Sequence, residues 1–328
     1  MVDTSGQNLA SGGTVEPKPE DYDYELDRAL SAVVGLKAMV PGDAFTAETL
    51  GTERVGNGVL IDKSGLVLTI GYLITEAETV WLTLSGGRVV QGHVLGYDQE
   101  TGFGLVQALA RLDSPFLRLG SSARAGPAER VVVGAAGGRQ RAIVSRIKAK
   151  QEFAGYWEYV IDEAIFTAPA HPTWSGTALI GPGGDLLGIG SLQLQQQVRG
   201  GGASLDVNMM VPIDLLKPIL DDLRTLGCRR EPPRPWLGLY ATEVGSKIVI
   251  AGISERGPAR KADLRPGDVV LSVGGNVVKS LAQFFRSIWR VGDAGVEVPM
   301  VLNRGNDSFE VRIKSVDRTR LLKGPILH

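Results

Sequence analysis

From Ala32 onward the chain is written in short apolar or alternating runs. Gly58-Val59-Leu60-Ile61, Leu66-Val67-Leu68-Thr69, Thr79–Leu84 and His93–Gly96 are such runs, punctuated by Asp62-Lys63-Ser64-Gly65 and Ser85-Gly86-Gly87-Arg88. A period of two marks a half-buried strand, and polar, glycine-bearing words between such runs read as hairpin turns. Further strands are predicted at Arg130–Gly134, Ile143–Arg146, Tyr159–Ile161 and Leu186–Leu192. Many short strands at regular spacing predict a mainly β domain, an antiparallel barrel or sandwich. The period then lengthens: from about Pro212 to Leu226 the residues Leu215, Leu216, Ile219, Leu220, Leu223 and Leu226 share one helical face, with Gly227 placed as the C-cap. Pro218 fits that helix only in its first turn.

A stiff, charged linker, Arg229-Arg230-Glu231-Pro232-Pro233-Arg234-Pro235, separates this region (23–227) from a second unit at 236–319. Trp236–Tyr240, Lys247–Ile250, Val269–Val273, Val296–Leu302 and Ser308–Ile313 read as strands there. Gly257–Ala262 reads as a short helix, and a longer one is predicted near Ser280–Arg290. On that helix Leu281, Phe284, Phe285 and Ile288 follow the spacing of a single face. Residues 1–22, rich in Ser, Gly, Pro and acid, are expected to be mobile, and 320–328 form a tail.

Composition narrows the function classes. With 43% hydrophobic residues, the 328-residue chain can bury real cores, and a net charge of −1 gives no electrostatic case for nucleic acid or a membrane surface. One cysteine, Cys228, excludes an internal disulfide, and three histidines (His93, His171, His328) are too few for a His-built metal centre. No metal or cofactor is expected. No apolar run is long enough to span a membrane as a helix. The first residues carry no basic-then-apolar leader pattern, so the expectation is a cytoplasmic protein if the chain is complete, and a periplasmic one if a leader was removed.

The candidate chemistry lies in His171-Pro172-Thr173-Trp174-Ser175-Gly176-Thr177-Ala178-Leu179-Ile180, followed by the turn and apolar run Gly183–Gly190. Two upstream segments belong with it, Gly56–Ile74 and Leu95–Leu105. Together they resemble the HtrA/Deg-type trypsin-like serine proteases, whose fold is a double antiparallel β-barrel. The resemblance puts Ser175 at the nucleophile position, Tyr72 where the family carries its catalytic histidine, Gly102 at the aspartate position and Thr173 at a glycine that supplies an oxyanion amide. A serine attacks a carbonyl only if a base takes its proton, and a phenol of pKa near ~10 is a poor base at neutral pH. A β-branched Thr173 suits a left-handed glycine position badly. Trp174 adds bulk beside the serine, and Thr177 and Ala178 replace the family's glycine and proline. His171 is expected at the pocket rim, His93 on an exposed strand face, and Gln193–Gln197 lies where the family has a pocket loop.

The unit 236–319, with Trp236-Leu237-Gly238-Leu239 and Gly257-Pro258-Ala259…Arg265-Pro266-Gly267-Asp268, resembles an HtrA-type PDZ domain (α+β). That resemblance makes Trp236, Leu237, Gly238, Leu239 and Tyr240 the seat and edge for a peptide C-terminus, with Leu281, Phe285 and Ile288 on the opposite wall. The competing reading makes all of these core residues, with the groove occupied by this chain or a neighbour. The resemblance further implies a homo-oligomer, a trimer in this family, and a place in protein quality control. The expected function is therefore a catalytically inactive HtrA homologue that binds peptides or proteins. The alternative is an active endopeptidase using Ser175 with a non-standard base.

Overall fold

The protein is described by a computed structural model over residues 14–197 and 204–324. The contacts divide it into two units. The first draws on the described residues up to Val40, on Leu50–Lys150 and on Ala164–Gly227; the second on Pro41–Thr49, Gln151–Glu163 and the described residues from Cys228 onward.

The first unit holds two barrels of six antiparallel strands. In one, β1 (Val33–Met39), β2 (Glu53–Leu60), β3 (Leu66–Ile70), β4 (Thr79–Thr83), β5 (Val89–Tyr97) and β6 (Phe103–Ala108) close in the order β1-β2-β3-β6-β5-β4. In the other, β7 (Arg130–Gly134), β8 (Ala142–Gly155), β9 (Tyr159–Ala168), β10 (Ala178–Ile180), β11 (Leu186–Gln197) and β12 (Ser204–Pro212) close in the order β10-β11-β12-β9-β8-β7. Closure removes the exposed strand edges that an open sheet would present. Inward positions fill the interiors: Val59, Leu68, Leu82 and Leu105 in the first barrel, Val131, Val133, Ile165 and Leu179 in the second. Two short helices accompany them, α1 (Leu26–Leu30) and α3 (Leu220–Leu226), while α2 (Ala47–Leu50) falls in the second unit in all but its last residue.

Three expectations change here. Part of the expected mobile segment is held: the Val144 amide donates to the Val15 carbonyl at 2.9 Å, and Arg130 pairs with Asp21 at 2.7 Å. Residues 1–13 of that segment, like His328, lie outside the described residues. The C-terminal helix begins at Leu220, because Pro212 ends β12 and Pro218 lacks the N–H a continuous helix would need; Gly227 does cap it, at φ +76°. Finally, Gln193–Gln197 is no loop but the end of β11, paired with Ser204–Asn208 of β12.

The second unit is built on β13 (Leu239–Val244), β14 (Lys247–Ile253), β15 (Val269–Val273), β16 (Asn276–Val277), α4 (Leu281–Trp289), β17 (Glu297–Arg304) and β18 (Asp307–Lys314). Its sheet runs β13-β14-β15-β17-β18, with β16 on β15. Ser280 caps α4 by accepting from the Gln283 amide. Leu237, Leu239, Ile250, Phe284, Phe285, Ile288 and Met300 form the core, joined by Val160 from the β8–β9 hairpin.

Candidate functional site

Ser175 is held by backbone that only glycine could supply next to it. Gly176 has φ +74°, and a Cβ there would lie 1.9 Å from the Asn57 carbonyl oxygen. Asn57 sets the turn's height. Its amide donates to the Ser175 carbonyl at 2.9 Å, its side-chain nitrogen to the carbonyls of Ser175 (2.9 Å) and Thr173 (3.2 Å), and its side-chain oxygen accepts from the Ala136 amide at 2.9 Å.

Tyr72 arrives on a one-turn helix, Gly71–Leu73, directly after β3, its carbonyl fixed by Arg54 at 2.8 Å. Its hydroxyl lies 2.6 Å from Ser175 Oγ and donates to the Ser191 carbonyl at 2.8 Å. That carbonyl is available because β11 changes register against β12 between Gly190 and Leu192, a bulge that leaves Ser191 outside the ladder. A phenol has one proton. With it given to Ser191, the serine hydroxyl must be the donor to Tyr72. Burial of the phenol outweighs its hydrogen bonds to Ser175 and Trp174 and pushes its pKa up to about 12.

The other expected partners are not assembled around Ser175. Gly102 sits at φ +82°, accepts from the Gly71 amide at 2.6 Å and brings no side chain. Asp98, four residues earlier, bonds the Thr101 amide (2.8 Å) and hydroxyl (2.6 Å). His171 is buried rather than at the rim. Its Nε2 lies 3.1 Å from the Arg141 carbonyl, its Nδ1 accepts from the Thr173 amide at 3.1 Å, and Asn208 bonds its backbone on both sides. Accepting at Nδ1 puts the proton on Nε2, and desolvation lowers the ring's pKa. The same contact takes up the Thr173 amide, which donates to the imidazole. His93 is half-buried on β5, and Cys228 is exposed. Among the described residues no cluster of acids, histidines and cysteine could hold a metal.

In the second unit the segment Trp236–Leu239 forms a tight loop. Gly238 is at φ +74°, with its Cα side against Gly257, and Trp236 bridges to Val316. The amides of Leu237 and Leu239 converge on Glu158 Oε1 at 3.3 and 3.4 Å, and the Gly238 amide also acts on that carboxylate. Two residues further along β13, the Ala241 amide donates to the Tyr156 carbonyl at 3.1 Å, with the Tyr156 and Tyr240 rings 6.0 Å apart. On the opposite side, Arg286 of α4 pairs with Glu152 and Asp162. Leu281, Phe285 and Ile288 are therefore not an open wall; they are buried, in one cluster with Val160. Glu158 was not anticipated. It sits at φ +65°, rare for a non-glycine residue, and burial pushes its pKa up to about 7 against the pull of the three amides and Arg318. The only trace in the sequence is a single acid between aromatics, Tyr156-Trp157-Glu158-Tyr159.

Residues 56–189 match the family model of the trypsin-like peptidase domain, and residues 235–315 that of the PDZ domain. The chain thus carries a trypsin-like peptidase domain followed by a PDZ domain. Similar curated proteins include a "Probable periplasmic serine endoprotease DegP-like" of Hahella chejuensis, 26% identical over 280 residues, covering 80% of this chain and 57% of that protein. Another is the "Periplasmic pH-dependent serine endoprotease DegQ" of Escherichia coli, 28% identical over 283 residues, covering 80% of this chain and 59% of that protein. The chain thus spans little more than half the length of these relatives. Among solved structures, "HtrA-type protease AlgW with decapeptide" shares the fold at TM-score 0.54 and 19% identity, covering 92% of this chain and 98% of that one. These names give the cytoplasmic expectation no support. No described helix is long and apolar enough to cross a membrane.

Proposed function

We propose that this chain is a non-catalytic HtrA-type protein that binds polypeptides through its PDZ domain, with the barrels as scaffold of a homo-oligomer. The observation that carries this reading is the partner of Ser175: a phenol hydroxyl at 2.6 Å in place of an imidazole. With a pKa near 12, that phenol is ionised in only about one molecule in a hundred thousand at neutral pH. The oxyanion amide at Thr173 is turned to His171 as well. Loss of the nucleophile–base unit costs on the order of 10⁶ in turnover and loss of one oxyanion donor a further ~10²–10³.

A fluorophosphonate probe tests this directly. No labelling is expected; labelling of Ser175 that vanishes in Ser175→Ala refutes it. The second reading, an active endopeptidase, is favoured by the relatives' names as serine endoproteases, and hydrolysis of unfolded casein abolished by Ser175→Ala would establish it. The periplasmic names of the same relatives favour a periplasmic location, tested by cell fractionation. A trimer is the proposed assembly, tested by light scattering.

A further inference from the structure

The contacts of Glu158 have the pattern of a bound ligand rather than of an ordinary turn. A peptide held by strand addition presents a carboxylate to a nest of backbone amides and, further back along its chain, a carbonyl to the sheet edge. Here the carboxylate of Glu158 receives the amides of Leu237 and Leu239, and the carbonyl two residues earlier, at Tyr156, receives the amide of Ala241. The direction also fits. Tyr156 lies against the later β13 residue and Glu158 against the earlier ones, so the segment runs antiparallel to β13.

Its flanks are secured on the other wall, where Arg286 of α4 holds Glu152 and Asp162, and Ala154 and Val160 pack with the core beneath. A turn built for its own sake would not need a left-handed glutamate or a buried carboxylate, since each is unfavourable alone.

We propose that Tyr156-Trp157-Glu158 is an internal ligand of the PDZ domain. The Glu158 side chain occupies the seat of a C-terminal carboxylate, and an incoming polypeptide with a free α-carboxylate binds by displacing it. This rests on the peptide-binding reading above and adds that the groove is closed in cis until a ligand competes. Amidated C-termini and internal strands without a carboxylate compete poorly, because they offer the three amides one neutral carbonyl oxygen in place of a charged carboxylate's two.

The test uses the full chain as wild type and Glu158→Gly. Glycine tolerates φ +65°, so the substitution adds no backbone strain while it removes the carboxylate that docks the turn. Glu158→Ala serves as a second variant. Binding is read by fluorescence polarisation against an array of decapeptides with free apolar C-termini, with amidated copies alongside. Protection of the Leu237, Leu239 and Ala241 amides is read by hydrogen exchange. The expected result is affinity at least about tenfold higher in Glu158→Gly than in wild type, for free C-termini only, because the competitor has been removed. Equal affinity in the two proteins overturns the proposal. If no peptide binds either protein, exchange decides. Amides protected in wild type and released in Glu158→Gly uphold the internal ligand while the peptide-binding reading fails. Amides unprotected in wild type refute the internal ligand.

Discussion

Raising the pH should loosen the seat of Glu158. The carboxyl is fully buried and its pKa stands at about 7, against 4.5 for an unburied glutamate, with desolvation as the largest cause. The docked hairpin therefore binds its proton more tightly than the released one, and stability falls as pH rises. The contribution is whole below 4.5, drains away between 4.5 and about 7, and is flat above that. At 1.36 kcal/mol per pKa unit the full effect is about 3 kcal/mol. The groups facing the carboxyl do not blur this window. Arg318 acts on the carboxyl only as a neighbouring charge, and burial raises the Tyr240 pKa so that ring stays neutral. Glu152 and Asp162, on the same hairpin, are paired to Arg286, whose own pKa is raised. Hydrogen-exchange protection factors at Leu239 and Ala241 report the local opening free energy. Between the acid end of the window and about pH 8 they should fall on the order of a hundredfold in wild type and stay level in Glu158→Gln. Equal pH slopes in the two proteins would refute the assignment of the proton to Glu158.

Three further outcomes follow from contacts already described. Gly176→Ala places a Cβ 1.9 Å from a backbone oxygen at a left-handed φ, and should cost about 3 kcal/mol or more in a thermal or denaturant melt of the barrels. Asn57→Ala removes the side chain that ties Thr173, Ser175 and Ala136 together, and a loss of about 2–4 kcal/mol is expected, measured the same way. Arg286→Ala removes pairs whose carboxylates are substantially exposed, so the stability change should stay near 1 kcal/mol or below; limited proteolysis within Tyr156–Tyr159 should nevertheless quicken.

Eight of the twelve barrel strands were legible because alternation and turn words are local, whereas β1, β6, β10 and β12 were not read as strands. The meeting of Tyr72 with Ser175 was legible too, since the flanking words fixed both positions. What escaped was set by distant partners. His171 reads locally as a rim residue, yet Asn208, thirty-seven residues away, draws its backbone inward. The stretch from residue 14 to Tyr22 has the composition of a loose end, but Val15 and Asp21 find partners on β7 and β8. Glu158 shows the limit most clearly. Nothing in a glutamate's own preferences announces a left-handed backbone or a buried carboxylate; both arise from amides some eighty positions further on.

On the non-catalytic reading, the hydrogen bond from the Thr173 amide to His171 bears on how hydrolysis could arise in this chain. Under the non-catalytic reading, Tyr72→His would return a base but leave the amide facing inward, and freeing the amide would return an oxyanion donor with no base to use it. On that reading neither step alone would yield turnover, and each would break a hydrogen bond now made, Tyr72 to Ser175 or Thr173 to His171. On that reading selection for peptide cleavage would find no single-substitution path uphill, and the two contacts together would act as an evolutionary ratchet.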